Sequence, residues 1–402
     1  MSTTLYFSIS KEALMPCEEL LEIEKSRRQL HIGILAESDP CEDRVALTPE
    51  TVEALVRQGH IVTVEKHAGA RASYADMQYS EAGAYVVERS EAYRADIIFK
   101  INPPTISEIE KMKERQLVFS YLNKYQLAED YIRKLADKHI TAIDYEDIRD
   151  SFGNYPLVKI MSEIAGSVSV QIAAEYLSKA SGGKGILLGG ISGVNPAEIV
   201  VIGSGIAAEF AIRSALGLGA FVRVFDNSVH SLQRLQQNLG VRLYTSIMHP
   251  QALTEALSAA DVMIGAVYID GYEYQSPISE EMVMQMKPGA VIVDLSINQG
   301  GCCETSEMRT LADPIFIKHG VIHYCAPNIT SRVARTASMA IGNILVNMIL
   351  NMGQQGSLST WLKTNAGMRN GVYMYNGTLT NPYIGNAFNI PYQDIHLLMA
   401  AF

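Results

Sequence analysis

The amino-acid sequence predicts an α/β protein with two doubly wound, Rossmann-like domains and an inter-domain cleft. Three observations favour this fold. Short β-rich runs alternate with helical stretches along most of the chain, a glycine-rich turn follows one of those runs, and 402 residues suit two ordinary domains. Because strand–helix–strand repeats build parallel sheets covered by helices, two such sets of runs predict two sheets.

The first set of strand candidates is followed by helical patterns at each step. It comprises HIGIL (31–35), IVTVE (61–65), IIFKI (97–101), LVFSYL (117–122) and TAIDY (141–145). After the first of these, TPETVEALVRQG predicts a helix that begins at Thr48 or Pro49 and ends at Gly59. The acidic-then-basic residues 11–29 predict a further amphipathic helix that covers the first domain.

A long helix over residues 162–181, apolar all round and free of internal proline, is expected to connect the domains. SGGKGILLGGISGV then lacks phosphate-loop spacing and is interpreted as a hairpin. A second set of strands follows: EIVVIG (198–203), FVRVFD (221–226), DVMIGAV (261–267), AVIVDL (290–295) and VIHYC (321–325). We therefore predict a discontinuous substrate domain, 1–156 plus 335–402, and an NAD-binding Rossmann domain, 157–334.

Composition narrows the classes of function. Hydrophobic residues make up 48% of the chain and charged residues 19%, as in ordinary globular proteins. The net charge of -10 and the lack of a basic stripe argue against a nucleic-acid partner. No signal peptide or membrane span is expected. The five cysteines contain no CxxC, so neither a metal site nor a disulfide framework is expected, and a reducing cytoplasm fits.

The strongest local motif is VVIGSGIAAEF, at residues 200–210. Gly203 would allow the tight turn after the strand, Gly205 would let the backbone approach a pyrophosphate, and Ala208 would let the helix pack closely. Asp226, 23 residues after Gly203, would accept bonds from the ribose hydroxyls and repel a 2′-phosphate. The motif predicts bound NAD; the alternative is a glycine turn in an α/β domain without a ligand.

Six motifs, of which VIGSG is part of the glycine-rich motif above, occur in the order typical of one family: EDRVALTPETVEALVRQGH, MSEIAG, GGKGILLGGISGV, VIGSG, EEMVMQMKPGAVIVDLSINQGG and HGVIHYCAPN. From about His31 to Tyr392 the chain resembles the alanine dehydrogenase family, which shares its fold with the nucleotide-binding subunit of proton-translocating transhydrogenases. The tail GVYMYNGTLTNPYIGNAFNIPY is similar to the dehydrogenase tail, which the transhydrogenase relatives lack. The resemblance implies reversible oxidative deamination of L-alanine by NAD to pyruvate and ammonium.

The resemblance also implies residue roles. Arg44 would clamp the substrate carboxylate with its planar fork, and Lys100 would bind the carboxylate or carbonyl end at the rim of the first domain. The alternative for both is ordinary salt bridging. The implied cofactor contacts are Ser162, Gly203, Gly205, Asp226 and Asn328. Family members are often hexamers, so a homo-oligomer (hexamer or dimer) is expected, with the helical segment 335–352 as a candidate interface.

Two departures from the family stand at positions where it uses proton-transferring groups. The family's histidine after YL is Asn123 here, and the aspartate of its VDxxIDQGG loop is Asn298. The loop is expected to face the nicotinamide and substrate. An amide does not titrate at working pH, and well-placed proton transfer is worth roughly 10²–10⁴-fold in rate. Hydride transfer itself needs only a positioned nicotinamide and an electrophilic carbon.

Three hypotheses follow. The protein is an alanine dehydrogenase in which Lys100 or a water takes over proton transfer; or an NAD-dependent oxidoreductase of another amino or keto acid; or a catalytically impaired NAD(H)-binding regulatory protein. His323, in an apolar strand, is expected to be a core histidine rather than a catalyst.

Overall fold

The computed structural model of the chain describes residues 28–122, 127–267 and 276–401. Asn123 and nearly all of the helix predicted over 11–29 lie outside these residues. Each of the strands predicted from the sequence is present, with ends shifted by no more than two residues.

The strands form two sheets. In chain order they are β1 (His31–Ile34), β2 (Ile61–Glu65), β3 (Tyr85–Val87), β4 (Ile97–Phe99), β5 (Leu117–Ser120), β6 (Thr141–Asp144), β7 (Glu198–Ile202), β8 (Phe221–Phe225), β9 (Tyr244–Ser246), β10 (Val262–Gly265), β11 (Val291–Asp294), β12 (Ile315–Lys318), β13 (Val321–Tyr324), β14 (Val372–Tyr375) and β15 (Thr378–Leu379).

Helices connect most of these strands. They are α1 (Pro49–Arg57), α2 (Asp76–Glu81), α3 (Arg89–Ala92), α4 (Ile106–Lys111), α5 (Glu129–Asp137), α6 (Pro156–Leu177), α7 (Ile206–Gly217), α8 (Val229–Leu239), α9 (Pro250–Ala259), α10 (Glu280–Met284), α11 (Ala334–Gln354), α12 (Leu358–Thr364), α13 (Ala366–Gly371), α14 (Pro382–Phe388) and α15 (Ile395–Ala401). Single 3₁₀ turns occur at Ala70–Ala72, Lys179–Ser181, Ile297–Gln299 and Ile329–Val333.

Both sheets have the same doubly wound strand order, which confirms the predicted fold class. The first runs β15-β14-β6-β5-β4-β1-β2-β3 and the second β12-β13-β11-β10-β7-β8-β9. The six parallel strands of each follow the order 3-2-1-4-5-6, with antiparallel strands added at one edge. In such sheets ligands bind outside the carboxyl ends of the strands where the order reverses: between β1 and β4, and between β7 and β10.

The C-terminal strands β14 and β15 join the first sheet although the second sheet lies between them in sequence. Strands on both sides of the inserted segment therefore belong to one sheet. The exact domain boundaries, 156/157 and 334/335, stay predictions. Five strands at or next to the sheet edges were not predicted: β3, β9, β12, β14 and β15. Each has only two to four residues, which is too short for a clear apolar pattern.

Two predicted elements need correction. The long helix begins at Pro156, not at residue 162, because proline suits the first helical turn, and it ends at Leu177. The predicted hairpin is present only as its turn: between the 3₁₀ turn and β7, Ile191 and Val194 pair in one isolated antiparallel bridge, and no strand continues from it. The glycines there make turns rather than a two-stranded ribbon.

Two segments of the described chain, Pro156–Leu177 and Ile329–Gln354, are long and apolar enough to cross a membrane by length and composition, although no span was predicted. This is weak evidence for a membrane helix, because a core helix passes the same test. Both contribute side chains to the hydrophobic core, among them Ile172 and Leu345.

The crossing of α6 and α7 depends on a glycine. A Cβ atom added at Gly166 would lie 2.1 Å from the backbone oxygen of Ala207, well inside van der Waals contact. Since that oxygen belongs to the helix backbone, it cannot rotate away as a side chain would. Close approach of the two helices therefore requires glycine at residue 166.

We predict that Gly166→Ala lowers the free energy of unfolding by about 1–3 kcal/mol through overpacking. Urea denaturation of the variant and wild type would measure this. Gly217→Ala in α7 is the matched control, because a Cβ there meets nothing within 4 Å and alanine favours helix by about 1 kcal/mol. Equal stability of Gly166→Ala and wild type would contradict the close crossing.

Candidate active site

The carboxyl end of β7 forms a cradle for a phosphate. Gly203 has φ +107°, and a Cβ there would lie 2.4 Å from the Ala266 backbone oxygen, so glycine is required. Gly205 is the N-cap of α7, and a Cβ there would meet nothing within 4 Å. Ala208 is fully buried beneath it. Open space in front of a twelve-residue helix N-terminus fits the pyrophosphate of a dinucleotide.

Asp226 lies beside this cradle at the end of β8. Its Oδ2 accepts a hydrogen bond from Ser204 Oγ at 2.6 Å, and its Oδ1 accepts one from the Ser228 backbone N–H at 2.7 Å. The carboxylate is thus fixed next to the glycine turn, where it suits ribose hydroxyls. Ser204, which is buried, was not singled out from the sequence. Its position between the two motif glycines was the available signal.

The loop VDLSINQGG is held by its first carboxylate. Asp294 is buried and accepts hydrogen bonds from the backbone N–H groups of Ser296 (2.9 Å) and Cys302 (2.7 Å) and from Ser306 Oγ (2.6 Å). Burial raises the pKa of the Asp294 carboxyl, and these donors oppose the rise. Asp294 therefore organises the loop, while Asn298 lies exposed in the 3₁₀ turn Ile297–Gln299.

This loop shares an edge of the second sheet with the glycine cradle. The Leu295 N–H donates to the Gly265 oxygen at 2.8 Å, and the Ala266 N–H donates to the Ile202 oxygen at 2.8 Å. The ends of β11, β10 and β7 thus lie side by side. Asn298 is placed at the predicted cofactor edge; its chemical role stays a prediction.

Arg44 follows β1 at the edge of the first sheet and is largely buried, with 11% of its side chain exposed. Its Nε and Nη2 donate to the Glu42 oxygens at 2.8 and 2.6 Å, and its Nη1 donates to Thr330 Oγ1 at 2.9 Å. Burial lowers the pKa of Arg44, but the Glu42 carboxylate outweighs burial and the net shift is upward. Glu42 takes the Nε–Nη2 edge of the fork, and Nη1 is bonded to Thr330.

Arg44, which follows a strand of the first sheet, contacts residues that follow a strand of the second sheet. Asn328, with φ +58°, donates from Nδ2 to Glu42 Oε2 at 2.7 Å, two residues before Thr330. From α6, Met161 Sδ lies 3.5 Å from Arg44 Nη1, and Ser162 comes next in the helix. Two of the predicted site residues, Arg44 and Asn328, therefore share Glu42 as a partner, and Ser162 follows Met161, which contacts Arg44, in α6.

Lys100 was predicted to lie at the rim of the first domain. It lies inside that domain instead, with 1% of its side chain exposed. Its Nζ contacts both oxygens of Glu108 at 2.9 Å and lies 4.0 Å from Glu37 Oε2. The reason is electrostatic, since an ammonium on an apolar strand needs a buried counter-charge. The lysine therefore ties the end of β4 to α4.

Two carboxyls at this edge were missed by the sequence reasoning. Glu37 accepts the backbone N–H groups of Ile101 (2.6 Å) and Asn102 (3.3 Å), and burial raises its pKa to about 7. Burial also acts to raise the pKa of Glu108, but Lys100 outweighs it and the pKa falls to about 2. Both residues stand near the carboxyl ends of strands β1 and β4, which was the only available signal.

His323 is a core histidine, as predicted. It is fully buried, its Nε2 lies 2.9 Å from Thr305 Oγ1, and burial lowers its pKa to about 4. Among the residues that the structure describes, no group of three or more His, Cys, Asp or Glu side chains is arranged to hold a metal ion.

Two family models together match most of the chain. The family model "Alanine dehydrogenase/PNT, N-terminal domain" matches residues 33–165, and "Alanine dehydrogenase/PNT, C-terminal domain" matches residues 169–382. An alanine dehydrogenase of Staphylococcus saprophyticus is 39% identical over 366 residues, which cover 90% of this chain and 98% of the relative.

Solved structures agree. An L-alanine dehydrogenase superposes with a TM-score of 0.84 at 34% identity, covering 89% of this chain and 99% of the other. A transhydrogenase from Sinorhizobium meliloti superposes with a TM-score of 0.75 at 27% identity, covering 87% and 99%. With its two doubly wound sheets and its nucleotide cradle, this chain belongs to the alanine dehydrogenase/PNT family.

Proposed function

We propose that the protein is an NAD-dependent alanine dehydrogenase, which converts L-alanine reversibly to pyruvate and ammonium by hydride transfer. The observation that carries this proposal is the contact of Arg44, at the switch point of the first sheet, with Thr330 beside Asn328 on the second-sheet side. A carboxylate-binding fork thereby stands next to the cofactor half of the molecule. The name carried by the relatives supports alanine as the amino acid.

NAD fits the second-sheet edge. Gly203 and Gly205 leave the backbone open at the helix N-terminus, and Asp226 presents a fixed carboxylate for the ribose. When bound, NAD accepts or returns the hydride at its nicotinamide ring. Ser162, Asn328 and the helix N–H groups hold and orient it, and the Asp226 carboxylate disfavours a 2′-phosphate, so NAD is preferred over NADP.

Arg44 binds the substrate carboxylate through Nη1 and the second N–H of Nη2, with the carboxylate replacing Thr330 and Met161 as the partner of Nη1. Glu42 fixes the plane of the fork by taking the Nε–Nη2 edge with two hydrogen bonds. A planar bidentate grip sets the direction of the substrate's α-carbon, and such positioning supplies much of the rate of a hydride transfer.

Proton transfer is the step for which the chain departs from its family. Asn298 can orient a water or the substrate nitrogen but cannot take its proton. Lys100 is held by Glu108, so of the two routes expected from the sequence, a water molecule is favoured over Lys100. The two other hypotheses, a different amino or keto acid and a regulatory NAD(H)-binding protein, receive no support from the names of the relatives.

We further propose a homo-oligomer, hexamer or dimer, in a reducing cytoplasm. The four cysteines of the described chain are free thiols, including Cys302 and Cys303 with sulfurs 3.8 Å apart, which fits that compartment. Exposed Leu187, Ile191 and Val194 form an apolar turn that supports self-association. The interface predicted on the segment 335–352, which lies in α11, stays a prediction.

NADH oxidation at 340 nm with pyruvate and ammonium tests the proposal, beside glyoxylate and 2-oxobutyrate, each with and without ammonium. We expect ammonium-dependent turnover with pyruvate.

Asn298→Asp should raise the rate, by up to roughly 10²–10⁴-fold, because it adds a titratable group at the cofactor edge. Asn370→Asp, which adds a carboxylate at an exposed site in α13, is the control and should leave the rate unchanged. Turnover with another acid but not with pyruvate would refute alanine as the substrate.

Gly205→Ala should abolish tight NADH binding without loss of stability. The residue has φ −75° and open space around the added methyl, so the fold accepts alanine, but the methyl stands where the pyrophosphate must approach. Fluorescence titration with NADH, together with thermal denaturation, separates the two effects. Unchanged NADH affinity would place the cofactor elsewhere.

Glu37→Gln should change how stability depends on pH. The folded-state pKa of about 7 exceeds the usual 4.5, so the carboxyl's stabilising contribution is full below pH 4.5 and is lost as pH rises through 7. The free energy of unfolding of the glutamine variant should therefore rise relative to wild type by about 3 kcal/mol over that window. Glu53→Gln, at an exposed site in α1, should leave the profile unchanged. Parallel profiles of Glu37→Gln and wild type would contradict the raised pKa.

A further inference from the structure

One buried carboxylate joins the loop after β1 to the segment after β13. The Oε1 atom of Glu42 accepts the Arg44 backbone N–H at 3.0 Å and Arg44 Nε at 2.8 Å, and Ser331 Oγ lies 3.4 Å away. Its Oε2 accepts Arg44 Nη2 at 2.6 Å and Asn328 Nδ2 at 2.7 Å. The Glu42 side chain has no exposed surface. Both oxygens are therefore committed to donors from the two sides of the boundary.

Further hydrogen bonds hold the same two segments together. The Asp43 N–H donates to Ser331 Oγ at 2.7 Å, and the Val45 N–H donates to Ser338 Oγ at 2.9 Å. Residues 42–45 are thus bonded at successive points to residues 328–338. If Asn328 moved while Glu42 stayed in place, the buried, charge-assisted hydrogen bond between them would break. Such bonds are about twice as strong as neutral ones.

We infer that Glu42 is a positioning residue that couples the cofactor site to the substrate site. The inference rests on the proposed function, in which Asn328 contacts the cofactor and Arg44 binds the substrate carboxylate. When the bound cofactor fixes the position of Asn328, the hydrogen bond from Asn328 fixes Glu42. Glu42 in turn fixes the Arg44 guanidinium in the orientation that binds the substrate carboxylate. By linkage, the substrate tightens cofactor binding by the same factor.

Glu42 can join Arg44 to Asn328 only because both of its side-chain oxygens accept hydrogen bonds. Glutamine has nearly the shape of glutamate, but its amide nitrogen would point a donor at the donors of either Arg44 or Asn328. Aspartate keeps both oxygens but is one methylene shorter, so it cannot reach both partners at once. Glu42→Gln and Glu42→Asp should therefore both uncouple the two sites, by different physical routes.

Titration of NADH, followed by its fluorescence, with and without L-alanine measures the coupling, because two reduced ligands form a complex that cannot react. In wild type we expect L-alanine to lower the NADH dissociation constant at least fivefold, and NADH to lower that of L-alanine equally. In Glu42→Gln and Glu42→Asp the factor should fall toward one. A merely structural role would weaken each ligand alone and leave this factor unchanged.

Hydrogen–deuterium exchange with NADH alone gives a second measurement that needs no substrate. NADH should slow amide exchange in residues 42–46 of wild type, on the side of the boundary away from its own site, and should not do so in the Glu42 variants. Asp261→Asn is the matched control: it also removes a buried carboxylate, bonded to Lys287 at 2.9 Å, but at the amino end of β10. It should retain full coupling and protection.

The outcomes separate the inference from the proposed function. Equal coupling factors in wild type and both Glu42 variants, or no NADH-induced protection of residues 42–46 in wild type, would overturn the role of Glu42. Failure of every protein to bind L-alanine, with that protection present only when Glu42 is intact, would refute the alanine activity and still support the coupling. If Glu42→Gln does not fold, Glu42→Asp decides the comparison.

Discussion

The buried ion pair between Arg44 and Glu42 is the interaction on which the architecture of the site depends. A guanidinium this far inside the protein is tolerable only with a carboxylate beside it, and removing one partner of such a pair costs about 3–5 kcal/mol. Glu42 has no exposed surface, and besides Arg44 it accepts hydrogen bonds from Asn328 and Ser331. The requirement to satisfy one charge therefore also fixes the contact between the two halves of the chain.

The same rule explains the rest of the first-sheet edge. Lys100 interrupts an apolar strand and is neutralised by Glu108, which also contacts Arg89 and Ser38. This network holds Lys100 inside the first domain, whereas Arg44 donates to Thr330, which follows β13. Glu37 remains at the same edge with a pKa near neutrality, because backbone N–H groups and the more distant Lys100 only partly offset its burial.

On the second-sheet edge the controlling constraint is steric rather than electrostatic. Backbone approaches at Gly203 exclude any side chain, and the open space at Gly205 leaves room for a phosphate in front of α7. Asn298 stands at this edge in a loop whose shape is set by Asp294. The amide can be accommodated without disturbing the loop, since the carboxylate that organises it lies four residues earlier. Under the proposed function, asparagine at residue 298 therefore changes the chemistry of the site and not its construction.

The sequence by itself determined ten of the parallel strands, the glycine cradle and Asp226, because these follow from local patterns: apolar runs of fixed period, a turn that needs glycine, and a carboxylate at a set distance along the chain. It also placed His323 in the core. Only the tertiary structure decided that Lys100 is enclosed by Glu108, that Ser204 fixes Asp226, and that Glu42 joins Arg44 to Asn328. Those partners are separated in sequence by as many as 286 residues or lie on different elements, and which charge pairs with which is settled by burial and distance in the folded chain.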